Sequence, residues 1–426
     1  MDRPESSTRV EHDLLGPLTL SADVLYGIHT ARAGENFRLG GETLREYPAL
    51  LAALAQVKSA AAWTNDKLGV LGSDIAQAVM AAAREVVEGG LHEHFPLEVV
   101  QGGGGTSTNM NMNEVLAGRA SALLGRRVDP HDHVNRSQST NDVMPTALNI
   151  AVLVTARSTG RSLRVLAESL SRKGRQYESL TRLGRTCLQD AVPVPAALVH
   201  EGQATSVLAA ATALEGAAEA LQYVPLGATA IGTGLGAPEG YRELAIRRLA
   251  EETGLDLRPS ANLSEGISSL EGLAWVADAM ARAGRAVARI AGDLRLLASG
   301  PVGGFGEVSL PPVQAGSSIM PGKINPVIPE LVMQVSFQLQ GGAHAVHLAS
   351  AAPELEVTAM APVVTAELLR GLRRLGRVSE VFAGRCVDGL TWNTEAVHAN
   401  LQGSLQPAVE SAVEHGHAHA VQEARS

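Results

Sequence analysis

Val276, Met280, Ala283, Val287, Ile290, Leu294 and Leu297 are apolar and alternate at spacings of four and three residues. Such a heptad seam predicts a long helix packed at a shallow angle against others like it. Similar helical stretches are expected near 143–178, 205–224, 326–352 and 362–388. Strand-like alternation is scarce beyond the first forty residues. Five long helices joined by irregular polar segments predict a mostly α chain built on an elongated bundle. There is no internal repeat and no low-complexity linker.

The segments between the helices are Gly-rich and polar where plain connectors would do. Four stand out: QGGGGTSTNMNMNE (Gln101 to Glu114), NRSQSTNDVMP (Asn135 to Pro145), GRTCLQDAVP (Gly184 to Pro193) and AGSSIMPGKINPVIPE (Ala315 to Glu330). Each is expected at or near a helix end, where free backbone N–H groups meet anions. Together they offer Thr106, Ser107, Thr108, Asn109, Ser139, Thr140, Asn141, Thr186, Ser317, Ser318, Lys323 and Asn325. Hydroxyls, carboxamides and one lysine bind carboxylates through many neutral hydrogen bonds and one positive charge. Any one segment alone reads as helix caps and turns. The four together, one carrying an ordered Ser-Ser-x-x-x-x-Lys-x-Asn, read as a dicarboxylate site. The GGGG run lacks a following GK[ST], which excludes a Walker loop. No metal-ligand set and no Ser-His-Asp order is visible.

Composition narrows the class. Hydrophobic residues make up 45% of the 426 positions and aromatics only 3%, which favours tightly packed helices over sheets. A net charge of -9 argues against nucleic acid and anionic membrane surfaces as partners. Two cysteines, Cys187 and Cys386, make no disulfide scaffold. The polar N-terminus lacks an apolar signal core, and no apolar run is long enough to span a bilayer. A reduced, cytoplasmic setting is expected.

The stretch GSSIMPGKINPVIPE resembles the signature of the aspartase/fumarase superfamily. RVEHDLLGPLTLSADVLYGIHTARAGENF resembles the aspartase N-terminus. QGGGGTSTNMNMNEVLAGRA, DPHDHVNRSQSTNDVMPTA, GRTCLQDAVPV, LGATAIGTGL and GDLRLLASGP resemble family blocks in the family order. The resemblance implies a three-domain, mostly α-helical subunit with a central bundle of five long helices. The domains would be an N-terminal one over 1–142, the bundle over 143–390 and a shortened C-terminal helical one over 391–426. It also implies a homotetramer with a twenty-helix core, each active site drawing segments from three subunits. The implied reaction is anti elimination of an amine, or of water, from a succinyl-type substrate to give fumarate, without a cofactor.

Roles follow residue by residue from the same resemblance. Ser317 matches the general base that takes the proton next to one carboxylate. Lys323 and Asn325 match groups that hold that carboxylate as it gains charge. Thr106, Ser139, Thr140 and Ser318 match residues that bind the other carboxylate, and Ser107 is counted with them. Asn141 and Thr186 match groups near the amine and the reacting carboxylate. Glu330 matches a supporting carboxylate, or stabilises the first turn of the following helix. Arg32 supplies positive charge or forms a surface ion pair. Gly303, Gly304, Gly306 and Gly316 flank a lid that carries the serine.

Departures from the pattern sharpen the reading. Cys187 stands where relatives carry His or Gln beside the leaving group, so the pocket suits either ammonia or a larger, N-substituted amine. Val302, Gly236 and Gly292 each replace a polar group of the pattern. The polar tail with His415, His417 and His419 is expected to fray rather than bind metal. L-aspartate is the expected substrate. Alternatives are an N-substituted aspartate, fumarate hydration, cleavage of argininosuccinate or adenylosuccinate, and a non-catalytic scaffold.

Overall fold

The computed structural model describes residues 7–352 and 355–423. The chain opens with an antiparallel hairpin of β1 (Thr8–Asp13) and β2 (Gly16–Ser21), in register from Thr8↔Ser21 to Asp13↔Gly16. Helices α1 (Ile28–Asn36), α2 (Pro48–Lys67), α3 (Ser73–Val87) and α4 (Thr106–Leu124) follow. Then come α5 (Thr140–Gln176), a second hairpin of β3 (Thr181–Thr186) and β4 (Gln189–Pro195), and α6 (Ala196–Glu219). A two-residue parallel pair joins β5 (Tyr223–Val224) to β6 (Arg258–Pro259), with α7 (Tyr241–Thr253) between them. After α8 (Leu263–Ser268) and α9 (Glu271–Leu297), β7 (Val308–Ser309) precedes α10 (Val327–Ser350) and α11 (Ala361–Phe382). The short strand β8 (Thr391–Trp392) pairs antiparallel with β7, and α12 (Thr394–Leu401), α13 (Gln406–His415) and α14 (His417–Glu423) close the chain.

The mostly α expectation holds. The five long helices are α5, α6, α9, α10 and α11, with 37, 24, 27, 24 and 22 residues. Every residue of the heptad seam on α9 is buried, from Val276 to Leu297. A fully buried aliphatic side chain contributes about 1.5–3 kcal/mol, so a charge placed at Val287 would be buried unpaired and costly. Small residues let these helices approach closely. A Cβ at Gly284 on α9 would lie 2.8 Å from Leu339 Cδ1 on α10, so any larger residue there must push the end of the Leu339 side chain aside.

Two expectations need correction. GRTCLQDAVP sits in a hairpin, not at a helix end. Thr186 pairs with Gln189, and the intervening Cys187 and Leu188 take φ of 53° and 62°. Such a two-residue turn matches the right-handed twist of the strands. The tail does not fray within the described residues. The Leu405 amide donates to Ala191 O on β4 at 2.9 Å, and Ala420 is buried, which anchors α13 and α14.

The chain separates into two compact units. One comprises residues 1–157, 215–279 and 341–373, the other 158–214, 280–340 and 374–426. Among the described residues no helix is long and apolar enough to cross a membrane.

Candidate active site

The serine loop lies between β7 and α10 in the second unit. Ser317 is half-buried, and its Oγ accepts hydrogen bonds from the Ile319 and Met320 amides at 3.2 and 3.0 Å. Two N–H dipoles aimed at one hydroxyl oxygen stabilise negative charge on it. The loop closes on itself: Gly316 N donates to Lys323 O at 2.9 Å, and Asn325 Nδ2 donates to Gly316 O at 2.7 Å. A Cβ at Gly316 would lie 2.5 Å from Lys323 O, so only glycine permits that closure. Ser318 and Lys323 are exposed. One of the two carboxamide N–H bonds of Asn325 is thus engaged in shaping the loop. Glu330 lies in the first turn of α10, where a carboxylate favours the helix dipole, 3.7 Å from Arg295 Nε.

The other half of the polar inventory gathers in the first unit, where α4 and α5 begin. Gly103, Gly104 and Gly105 all take positive φ, which lets the chain turn sharply into Thr106 at the start of α4. Thr106 Oγ1 donates to Gly103 O at 2.8 Å, while Ser107 is buried. At the start of α5, Ser139 Oγ accepts from the Asn141 amide at 3.2 Å, and Asp142 reaches back to the Ser139 amide at 2.9 Å. Together the two bonds cap the start of α5, the serine through the second helical amide and the aspartate through the amide of the cap residue. Asn141 Nδ2 donates to Ala230 O at 2.8 Å. Thr140 Oγ1 accepts from Asn109 Nδ2 at 3.2 Å, which leaves the Thr140 hydroxyl hydrogen to donate elsewhere.

Behind these side chains lies a buried network that the sequence reading did not assign. Asn135 Oδ1 accepts from Lys58 Nζ at 3.0 Å, from Asn113 Nδ2 at 3.1 Å and from Asn109 Nδ2 at 3.2 Å. Burial holds the Lys58 amine down at about 7, opposed by the charge of Asp142. The Asp142 carboxylate accepts from the amides of Ser139, Gly227 and Thr229 at 2.9, 3.0 and 2.9 Å. Complete burial pushes its carboxyl group up, against the pull of those amides. The available signal for this network was one lysine inside the apolar run LLAALAQVKSAAAW.

Three further predicted residues lie in other segments of the chain. Thr186 and Cys187 sit exposed on the β3–β4 hairpin of the second unit. Arg32 is committed to Asp13, Nε to Oδ2 at 2.8 Å and Nη2 to Oδ1 at 3.0 Å, and to Gly16 O at 2.9 Å. It latches α1 to the first hairpin, so of its two expected roles the ion pair is the one present. Among the described residues no group of three or more His, Cys, Asp or Glu side chains is placed to hold a metal ion.

This fold and this combination of serine loop and capped helix starts define a helical enzyme class. A family model described as lyase matches residues 16–341. The chain is 41% identical to an aspartate ammonia-lyase of Pseudomonas aeruginosa over 94% of its length and 86% of that protein. It is 39% identical to an aspartate ammonia-lyase of Escherichia coli K12, over 94% and 85% respectively. Among solved structures, a fumarate lyase:delta crystallin from Brucella melitensis superposes with a TM-score of 0.95 at 41% identity, covering 98% of this chain and 92% of that one. A class II fumarase from Schistosoma mansoni superposes at 0.94 with 32% identity, covering 98% and 91%. The chain belongs to the lyase family of the aspartase/fumarase superfamily, and it is a lyase.

Proposed function

We propose that the protein is a carbon–nitrogen lyase that eliminates ammonia from L-aspartate to give fumarate. The observation that carries this reading is the pair of backbone amides on Ser317 Oγ, in a loop that also carries Lys323. An ordinary serine hydroxyl is far too weak an acid to be ionised at neutral pH. The two amides lower the cost of the alkoxide, and the Lys323 ammonium adds to this when the loop closes on substrate.

Ser317 takes the proton from the carbon next to one carboxylate, and that carboxylate gains a second negative charge as an aci-anion. Lys323 and Asn325 stabilise that charge more in the transition state than in the ground state. The carbon–nitrogen bond then breaks, the electron pair leaves with ammonia, and the double bond of fumarate forms. The hydroxyls of Ser107, Ser139, Thr140 and Ser318 hold the other carboxylate, joined by Thr106 once its hydrogen turns from Gly103 O. Thr140 supports this role because its oxygen accepts from Asn109 and its hydrogen remains to donate to an anion. Asn141 and Thr186 attend the amine and the reacting carboxylate. Relatives with aspartate ammonia-lyase activity in their names support the choice of substrate.

A second reading, elimination from an N-substituted aspartate, is favoured by the exposed Cys187, whose small side chain leaves room beside the leaving group. A homotetramer, with each site shared among three copies and each subunit divided at about residues 142 and 390, completes the proposal. Exposed Leu198, Leu208, Trp275, Phe337 and Leu348 on the long helices support it, since large apolar side chains left in water mark association surfaces. The setting is taken to be cytoplasmic.

The test is ultraviolet detection of fumarate from L-aspartate, L-malate, argininosuccinate and N-substituted aspartates in parallel. Turnover of L-aspartate is the expected result. Turnover of an N-substituted compound alone selects the second reading. Turnover of malate alone indicates hydratase chemistry, and silence on all of them removes the catalytic proposal. A monomer by mass in solution would overturn the shared site.

A further inference from the structure

Glu307 lies between the Gly-rich segment 300–306 and β7, six residues after Pro301, and its side chain is fully buried. A buried carboxylate is costly unless it is paired and fully hydrogen-bonded, and this one is. Arg185 grips it with both terminal nitrogens, Nη2 to Oε1 at 2.7 Å and Nη1 to Oε2 at 3.1 Å. Asn400 Nδ2, from α12, donates to Oε1 at 2.8 Å. The backbone is held too: Glu307 N donates to Leu297 O at 3.0 Å, and Asn393 N donates to Glu307 O at 2.8 Å. The Arg185 guanidinium lies 4.5 Å from the centre of the Phe305 ring, on the same short segment. All of these residues belong to the second unit.

The chain positions of the partners give the cluster its meaning. Arg185 immediately precedes Thr186 and Cys187. Glu307 immediately precedes β7, the N-terminal root of the serine loop. Asn393 and Asn400 belong to α12 and its N-cap. One buried carboxylate therefore ties the leaving-group hairpin, the root of the serine loop and a C-terminal helix together.

We propose that Glu307 is a positioning residue that fixes the Thr186–Cys187 hairpin relative to the root of the Ser317 loop, with Asn400 holding the carboxylate in its grip on Arg185. This rests on the proposed function for what the two elements do, but the pin itself does not. In this role Glu307 and Arg185 act on each other rather than on substrate. Arg185 is the suitable partner because its planar fork fixes both distance and orientation, which an ammonium does not.

The test compares the full-length wild type with Glu307→Gln and Asn400→Ala. Asn400→Ala leaves the ion pair intact and serves if Glu307→Gln does not fold. Backbone hydrogen exchange over 184–190 and 299–326 is followed without substrate, together with kcat and KM for fumarate release. In Glu307→Gln, exchange in both segments is expected to rise at least about tenfold while α9 is unchanged. kcat is expected to fall about 10- to 100-fold, the range a small misplacement produces, with KM within about threefold. Asn400→Ala is expected to move both quantities in the same direction by about threefold. Unaltered exchange in either segment overturns the proposal, as does faster exchange with kcat unchanged. Should the wild type release fumarate from none of the compounds, the proposed function fails, and exchange alone decides whether the pin exists.

Discussion

The start of α5 and the serine loop are both crowded with hydroxyls and carboxamides, yet they are held in opposite ways. Around Thr140 the bonds are long-range and buried: Lys58 on α2, Asn109 and Asn113 on α4, and Asn135 before α5 come from three segments, and Asp142 fastens the amides of Gly227 and Thr229. Around Ser317 the bonds are local, exposed and short in sequence span, from Gly316 to Asn325. The first region is rigid because unmaking it leaves buried polar groups without partners. The second can be rearranged at small cost, because water replaces what is lost. A carboxylate-binding platform benefits from preorganisation, and a base that must meet its substrate benefits from a loop that can close.

The largest effect should come from the loop and should be confined to activity. Ser317→Ala is expected to lower kcat by about 10³-fold, a change of ~4 kcal/mol in the barrier, with thermal unfolding unchanged. Retention of more than a tenth of the wild-type rate would remove Ser317 as the base. Asp142→Ala should do the reverse and strike stability. Leaving three buried amides without an acceptor is expected to cost about 3 kcal/mol in urea unfolding. If stability is unaffected, the platform is not held as described.

Gly316→Ala probes the loop without removing chemistry. A methyl group 2.5 Å from Lys323 O cannot be accommodated without opening the ring, so kcat is expected to drop by about 10²-fold, ~2.7 kcal/mol. An unchanged rate would show that loop closure is dispensable. Lys58 then gives the platform a pH signature. Its folded value of about 7 lies below its ordinary one, so above pH 7 the unfolded chain binds more protons and stability rises with pH. Between pH 7.0 and 8.5 the gain is on the order of 1–2 kcal/mol, and Lys58→Met should abolish the slope. A slope that survives in Lys58→Met assigns the titration to another group. The smallest effect is that of Arg32→Ala, which breaks a surface latch and should leave kcat within about twofold of wild type. A much larger loss would return Arg32 to the site.

These two regions were not equally legible. The serine loop announces itself, because its Gly, Pro, Lys and Asn residues act within ten positions of one another. The platform is assembled from segments more than seventy residues apart, as Lys58 and Asn135 are, and no local pattern reports such a meeting. The long helices follow the same rule. The seam on α9 was readable because one face is buried and repeats, whereas α4, with Asn109, Asn111 and Asn113 buried, has no polar face to reveal it. The α6 helix begins at Ala196, nine residues before the expected 205, because Glu201 and His200 interrupt its apolar run. The β3–β4 turn uses Cys187 and Leu188 at positive φ, where Asn-Gly would have marked it.

The seam on α9 also governs how the gene can change. One inserted residue turns every following side chain by about 100° around the helix axis. Met280, Val287 and Leu294 would then leave the core together, and no single replacement could bring them back. Apolar substitution of similar size is open to this helix, but insertion and deletion are closed. Novelty in length must therefore be written into the hairpins and loops, which are also the segments that carry Cys187 and Ser317.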